Sequence, residues 1–167
     1  MPLPLNEAAA LGVTLRPMSD ADLPFTAILY ASTREEELAP VPWPAETKRM
    51  FLAQQHAAQH SHYRQHYQGM EAMIVERGGA AIGRLYLYAM PGELRIVDIA
   101  LMPEARRQGI GAALLRDVLA DAAPRDRRVT IHVEKNNPAR SLYARLGFTI
   151  LDADRGAYDL WEWRLAA

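Results

Sequence analysis

Cysteine is absent from this chain of 167 residues, which excludes disulfide bonds, thiolate metal sites and a cysteine nucleophile. No apolar run approaches the ~18–20 residues that a membrane-spanning helix needs. The N-terminus also lacks the basic start and long apolar stretch of a signal peptide. The net charge is only −1, so no strong overall field draws the chain toward nucleic acid or a membrane surface. These features predict a cytoplasmic protein that binds neither nucleic acid nor membranes.

The length and composition fit one folded domain. Half of the residues are hydrophobic, which is enough for a substantial core, and a chain of this length needs only one domain. There is no internal repeat and no low-complexity linker. We therefore expect a single domain over residues 1–167, in which residues 1–11 form a flexible arm.

Apolar periodicity and turn residues predict alternating strands and helices. Strands are expected at 13–16, 71–76, 80–89, 93–102, 129–133, 148–151 and 158–165. Helices are expected at 19–32, 44–68, 109–123 and 137–147. This order indicates a mixed α/β fold.

One stretch, from residue 98 to residue 115, carries the strongest functional signal. A short apolar strand ends at Pro103, and a helix with an apolar face begins near Ile110. Between them lie two arginines, followed by Gly109 and Gly111. The first turn of a helix has free backbone N–H groups at its positive end, and glycine lets an anion approach them closely. The stretch therefore predicts a phosphate or pyrophosphate site.

Neither common nucleotide motif fits this turn. A dinucleotide fingerprint would need a third glycine where Leu114 stands, and the Gly-Lys-Ser/Thr ending of a P-loop is missing. Arg106-Arg107-Gln108-Gly109-Ile110-Gly111 instead resembles the R/Q-x-x-G-x-G/A signature of the GCN5-related N-acetyltransferase (GNAT) superfamily. The segment 136–148 is similar to that family's second mark, N-x-x-A-x-x-L-Y-x-x-x-G-F.

The resemblance implies a fold, a co-substrate and a reaction. It implies a central sheet of about seven strands, splayed between the fourth and fifth, with about four flanking helices. The reaction would be direct transfer of the acetyl group of acetyl-CoA to a primary amine, on a small molecule or on a peptide or protein. The chain would act alone or as a homodimer, without a metal. The residues expected at the cofactor are Ile99, Leu101, Arg106, Arg107, Gln108, Gly109, Ile110, Gly111, Ala112, Asn136, Ala139 and Tyr143.

Acetyl transfer also needs an acid for the leaving thiolate and a route for the amine proton. Tyr143 matches the family's general acid, and a phenol is protonated at neutral pH. The general base is left open. Asp98, conspicuous inside an apolar strand, and Glu93 are the candidates on or near the central strand. Asp98 either relays a proton through water or binds the backbone at a bulge.

Two further groups of polar residues have an ordinary and a functional interpretation. Glu35, Glu36 and Glu37 are interpreted either as a solvated helix end or as a wall of the amine site, because the first helices line that site in the family. His56 and His60, like His62 and His66, have the i, i+4 spacing that can bind a metal. Solvated or hydrogen-bonded histidines are favoured over a metal, since no H-E-x-x-H pattern is present.

Two other functions stay open at this point. Some proteins of the resembled family bind acyl-CoA as sensors or interaction modules without turnover, but the retained Tyr143 favours an enzyme. A nucleotide-binding module would instead bind ATP or NAD. Coenzyme A release with a panel of amines separates these hypotheses.

Overall fold

The computed structural model describes residues 3–167, apart from the side chains of residues 154 and 155. It contains an α/β fold, as the sequence predicts. The α-helices are α1 (Glu7–Ala10), α2 (Leu23–Leu38), α3 (Ala45–His66), α4 (Ile110–Ala122) and α5 (Arg140–Arg145). The strands are β1 (Val13–Pro17), β2 (Glu71–Arg77), β3 (Ala80–Met90), β4 (Glu93–Leu101), β5 (Arg128–Glu134), β6 (Thr149–Arg155) and β7 (Tyr158–Trp163).

These strands form one mixed sheet in the order β1-β2-β3-β4-β5-β7-β6. Neighbours are antiparallel except for β4 and β5, which run parallel. The β4–β5 pairing covers only the first halves of the two strands and ends at Ile96 and Ile131. Beyond that pair the strands continue without each other, which confirms the predicted splay between strands 4 and 5. The carboxyl ends of two parallel strands that separate form a crevice suited to a ligand.

The two faces of the sheet are covered by different helices. Leu85 and Leu87 of β3 belong to the main apolar core, together with Leu114 and Val118 of α4. Side chains alternate along a strand, so Arg84 and Tyr86 project to the other face, where α2 and α3 pack. The first face is a nearly continuous hydrocarbon layer, whereas the second carries polar groups next to the crevice.

The N-terminal segment differs from the flexible arm that the sequence predicts for residues 1–11. From residue 3 onward it packs against α4, with Leu3 and Ala8 buried. Asp117 of α4 is buried and accepts hydrogen bonds from the backbone N–H groups of Asn6, Glu7 and Ala8 at 3.0–3.2 Å. A carboxylate at the start of α1 thus replaces the missing helical acceptors. This contact depends on a residue 110 positions away, which local sequence patterns do not show.

Replacing Asp117 with alanine is expected to lower the free energy of unfolding by about 2–3 kcal/mol, because it removes charged hydrogen bonds from partly buried N–H groups. Urea denaturation measures this change. Asp121→Ala is the matched control, since Asp121 lies one turn further along α4 and pairs only with Arg125 in the described ion pairs. A similar effect of the two substitutions would show that Asp117 does not anchor the segment.

The second helix runs further than the sequence predicts. It continues through Glu35, Glu36 and Glu37 to Leu38, where Pro40 and Pro42 follow. A 3₁₀ turn at Asp20–Asp22, with a capping box between Ser19 and Asp22, precedes it. Within the described residues, no helix is both long enough and apolar enough to cross a membrane.

Candidate active site

The crevice between β4 and β5 begins at an irregularity in β4. Asp98 pairs with Tyr86 and Ile96 pairs with Leu87, so Val97 is an extra residue that forms a bulge. From this bulge to Leu101, β4 has a strand neighbour only on the β3 side. Backbone groups of this segment, which includes Ile99 and Leu101, face the crevice wherever they point away from β3.

Strand β3 lies unusually close to this free segment of β4. A Cβ atom on Gly83 would collide with the carbonyl oxygen of Ala100 and lie 2.7 Å from Cδ2 of Leu101. Gly83 is therefore required for β3 and β4 to stay this close beside the crevice. The local sequence pattern does not predict this role for Gly83.

Helix α4 begins where the free segment of β4 ends. A 3₁₀ turn at Pro103–Ala105 leads to Gly109, the N-cap, whose φ of +80° is the left-handed conformation that glycine adopts most easily. The first bond of the helix runs from Ala113 N–H to the Gly109 carbonyl. The N–H groups of Gly109, Ile110, Gly111 and Ala112 consequently have no acceptor inside the helix. No heavy atom would lie within 4 Å of a Cβ on Gly109, so the space beside it is open.

The polar side chains before α4 hold this turn. Arg106 Nε donates to the Leu101 carbonyl at 2.9 Å. Gln108 donates to the Glu104 carbonyl at 2.7 Å and accepts from Arg77 at 2.9 Å. Arg107 is exposed and has a φ of +60°. An exposed, positively charged helix start of this kind fits a pyrophosphate.

Tyr143 lies on α5, which follows β5 on the opposite side of the crevice. Its ring packs against Phe148 and Trp161, with centroids 5.8 and 6.4 Å away, and the residue is 5% exposed. Burial raises the pKa of Tyr143 to about 12, and the charge of Asp98 adds to the shift. The phenol is therefore protonated at neutral pH. Within the described part of the chain, the recorded hydrogen bonds of Tyr143 involve its backbone and leave the hydroxyl proton for a ligand.

The loop between β5 and α5 contains the other residues of the second motif. Asn136 is exposed. Asn137 Oδ1 accepts the Ala139 N–H at 2.9 Å and so caps this turn, and the helix itself begins at Arg140. Ala139 packs beside the apolar core with Leu142 and Leu146.

Glu93 does not fit the role of general base that the sequence analysis considered. It lies at the beginning of β4, where the strand is still paired with β5, whereas the crevice opens at the other end. Its carboxylate accepts hydrogen bonds from Arg95, Arg128 and Thr130 at 2.6–2.9 Å. Burial raises the pKa of Glu93, but the hydrogen bonds from Thr130 and Arg128 and the charges of Arg95 and Arg128 together outweigh burial and leave the pKa below its ordinary value. Glu93 is a structural ion-pair partner.

Asp98 lies immediately after the bulge, at the start of the free segment of β4. Its Oδ2 atom accepts hydrogen bonds from Tyr63 of α3 at 2.9 Å and from Arg84 of β3 at 2.8 Å. A backbone contact at a bulge is one of the two interpretations that the sequence leaves open for this carboxylate. The recorded partners are instead side chains from two other elements.

A second cleft, of about 430 Å³, lies beside the crevice between α2, α3 and the ends of β5 and β7. The residues that line it include Tyr30, Arg34, Glu37, Glu134, Asn136 and Tyr158. Arg34 of α2 forms an ion pair with Glu134 of β5 at 2.8 Å, which ties the two walls together. Of the three glutamates proposed for an amine site, Glu37 lines the cleft and pairs with Arg34 at 3.3 Å. Glu35 and Glu36 are exposed on α2 but are not among the lining residues.

The histidines of α3 are divided between the interior and the surface. His56 is buried, and its Nε2 lies 2.9 Å from Thr26 Oγ1. Because that hydroxyl also lies in donor position to the Leu23 carbonyl, His56 acts as the donor to Thr26. Burial and the charge of Arg84 lower the pKa of His56, so it stays neutral. Among the described residues, no group of three potential ligands gathers as a metal site.

Comparison with known proteins identifies the family. The model of the Acetyltransferase (GNAT) family matches residues 30–148, which is well over half of the chain. A Bacillus subtilis protein, named as a candidate ribosomal protein bS18-alanine N-acetyltransferase, is 30% identical over 77 residues, or 45% of this chain and 51% of that protein. A mycothiol acetyltransferase of Thermobifida fusca is 34% identical over 90 residues, or 54% of this chain and 26% of that protein.

The fold has solved counterparts. The PaiA N-acetyltransferase of Thermoplasma acidophilum, crystallised with coenzyme A, is similar with a TM-score of 0.69 over 92% of this chain and 99% of that one, at 16% identity. Identity this low shows a shared fold alone, and the matched stretches span about half or less of the curated relatives' length. The family model and the two motifs agree: the chain belongs to the GNAT family of acetyltransferases.

Proposed function

We propose that this chain is an N-acetyltransferase that moves the acetyl group of acetyl-CoA directly to a primary amine. The observation that carries the proposal is the arrangement at the β4–β5 crevice. One side has a helix start with free N–H groups, and the other has a buried, protonated Tyr143. Acetyl-CoA has an anionic pyrophosphate, which the helix start would bind. It also has an activated thioester, whose sulfur Tyr143 would protonate.

The residues of the crevice fit this co-substrate. The N–H groups from Gly109 to Ala112 and the arginines at 106 and 107 bind the pyrophosphate. Backbone groups of Ile99 and Leu101 bind the pantetheine arm and the acetyl oxygen, as the family resemblance implies. Asn136 and Ala139 contact the same arm from the α5 side. The Leu101 carbonyl already accepts a hydrogen bond from Arg106, so Arg106 also shapes the strand end.

The proposed reaction forms one bond to carbon, breaks another and moves two protons. The amine nitrogen forms a bond to the acetyl carbon, and the bond between carbon and sulfur breaks. The nitrogen gives up a proton to Asp98, and the sulfur takes a proton from Tyr143. Solvent then takes the proton from Asp98 and gives a proton to Tyr143, which restores both groups.

The acceptor is a primary amine on a small molecule or on a peptide. One curated relative is named for an alanine of a ribosomal protein and the other for mycothiol, so the family supports both kinds. The acceptor would enter through the cleft of about 430 Å³, which carries Glu37 and Glu134 around Arg34. An assay panel should therefore contain peptides that begin with alanine as well as small amines.

The alternative is an acyl-CoA sensor of the same fold that binds without turnover. The hydroxyl of Tyr143 favours catalysis, because packing alone would be satisfied by phenylalanine. Coenzyme A release that depends on an added amine supports an enzyme. Binding of acetyl-CoA with no release across the panel would support the sensor, and binding of ATP or NAD in its place would support a nucleotide-binding module.

Initial rates with both substrates varied are expected to give intersecting double-reciprocal lines. Direct transfer requires both substrates to be bound together, and the chain has no cysteine to carry the acetyl group. Mass spectrometry after incubation with acetyl-CoA alone should find unmodified protein. Parallel lines together with an acetylated enzyme would overturn direct transfer.

A further inference from the structure

Three side chains from three different elements meet behind the crevice. Tyr63 of α3 and Arg84 of β3 both donate to Asp98 of β4, at 2.9 and 2.8 Å. Arg84 also donates to Gln59 Oε1 at 2.8 Å, and its guanidinium lies 5.1 Å from the centre of the Tyr86 ring. The Arg84 side chain is 4% exposed and that of Asp98 is 13% exposed. We refer to Tyr63, Arg84 and Asp98 as the aspartate clamp.

Both donors of the clamp use the same oxygen of Asp98. Tyr63 and Arg84 contact Oδ2, whereas Oδ1 has no recorded hydrogen bond among the described residues. Two donors on one oxygen fix the rotation of the carboxylate, because either bond alone would allow it to turn. Asp98 lies at the start of the free segment of β4 and its side chain is 13% exposed, so Oδ1 is the oxygen left for a ligand.

Stability does not account for this arrangement. Placing an arginine and an aspartate in a largely apolar interior usually adds little compared with apolar residues of the same size. The Nε atom of Arg84 is buried with no hydrogen-bond partner among the described residues, which adds to the free energy needed to bury the ion pair. The contacts that Tyr63 and Arg84 make are therefore better explained by their effect on Asp98.

Tyr63 and Arg84 both keep the protons that they donate to Asp98 at ordinary pH. Burial and the charge of Asp98 raise the pKa of Tyr63, so its hydroxyl remains protonated. Burial lowers the pKa of Arg84, but Asp98, Tyr86 and Tyr63 together outweigh burial and keep that pKa above its ordinary value. Asp98 also acts on the other side of the crevice, since its charge contributes to the raised pKa of Tyr143.

We propose that Tyr63 and Arg84 are positioning residues that hold one oxygen of Asp98 and so aim the other at the acceptor nitrogen, whose proton it accepts. The proposal rests on the proposed acetyl transfer. Neither Tyr63 nor Arg84 gives up a proton in this step. The proton moves from nitrogen to Oδ1 as the nitrogen forms its bond to the acetyl carbon.

The test compares variants on amines of graded basicity. Once the parent has an acceptor, fluorinated analogues of it lower the basicity of the nitrogen with little change in shape. Tyr63→Phe removes only an oxygen, Arg84→Lys keeps a charged donor, and Arg84→Met removes it. Tyr67→Phe is the matched control, because Tyr67 is the C-cap residue of α3, four residues after Tyr63, and packs edge-on against Tyr63 outside the aspartate clamp.

With the most basic acceptor, Tyr63→Phe is expected to lower kcat about 10- to 100-fold, the value of one charged hydrogen bond that acts on a proton acceptor. The loss should shrink as the acceptor becomes less basic, and the KM for acetyl-CoA should stay within about twofold of the parent, since Asp98 acts on the amine. Arg84→Lys should recover part of what Arg84→Met loses. Tyr67→Phe should behave as the parent.

The outcomes separate this inference from the proposed function. A loss in Tyr63→Phe that is equal for all acceptors, or that appears mainly in the KM for acetyl-CoA, would mean that the clamp is structural. Failure of Arg84→Met to fold still leaves Tyr63→Phe and Arg84→Lys to decide. A folded parent that binds acetyl-CoA but acetylates no amine would overturn the proposed function itself, and with it the clamp.

Discussion

Replacing Tyr143 with phenylalanine is expected to lower kcat by about 10²–10⁴-fold, which is the usual contribution of general acid catalysis. The hydroxyl would protonate the thiolate as it leaves. Because the pKa of Tyr143 is raised to about 12, the group is fully protonated at working pH but is a weak acid. An acid works best with a pKa near the working pH, so the low end of that range, about 10²-fold, is the best expectation.

The loss should appear in kcat with acetyl-CoA affinity nearly unchanged, since the proton is delivered only as the thiolate forms. The ring remains packed against Phe148 and Trp161, so the fold should barely change. Single-turnover rates give the clearest measurement, because product release does not limit them. Tyr88→Phe is the control, as Tyr88 lies near the end of β3, where its ring packs against Tyr67. A Tyr143→Phe rate within about twofold of the parent, far below the usual range for acid catalysis, would make Tyr143 a core residue.

The order of elements could be predicted from the sequence because its signals are local. Alternation predicted β2 and β3 within one residue at each end, and Gly109 marked the start of α4 within one residue. The packing of residues 3–11 against α4 could not be predicted in this way. Those residues are held by Asp117, and nothing near them in the sequence indicates an acceptor on α4.

The geometry of the candidate site could be predicted where backbone groups form it, and only in part where side chains form it. A glycine-containing helix start has the same chemistry in any fold, so the turn from Arg106 to Ala112 was accessible to sequence reasoning. The environment of a carboxylate depends on its neighbours in the sheet. Glu93 was a candidate base until the register placed it beside Arg128.

Tyr63 and Arg84 were missed for different reasons. Arg84 is a charged residue inside the apolar strand β3, just as Asp98 is inside β4, and two opposite charges in strands that form a hairpin are a signal of a buried pair. That signal is present in the sequence. Tyr63 carries no such mark, because its contact with Asp98 depends on how α3 lies across the sheet.

Valine at Gly109 or Gly111 is expected to weaken acetyl-CoA binding by about 10²–10³-fold. A side chain at the first turn of α4 keeps the pyrophosphate from the backbone N–H groups. Two charged hydrogen bonds lost at about 1.5–2 kcal/mol each correspond to that change in affinity. Isothermal titration with acetyl-CoA measures it, and circular dichroism confirms that the variants remain folded.

The two positions separate the blocking of an anion from strain in the backbone. Gly109 has a φ of +80°, so valine there adds about 1–2 kcal/mol of strain to the block. Gly111 does not require a positive φ, and its Cβ would meet only Leu101 Cδ1, at 3.9 Å. Gly78→Val is the control for strain, because Gly78 has a φ of +61° in the β2–β3 turn and open space around it. If Gly111→Val binds acetyl-CoA like the parent, or if Gly78→Val weakens binding as much as Gly109→Val, the pyrophosphate does not lie at the start of α4.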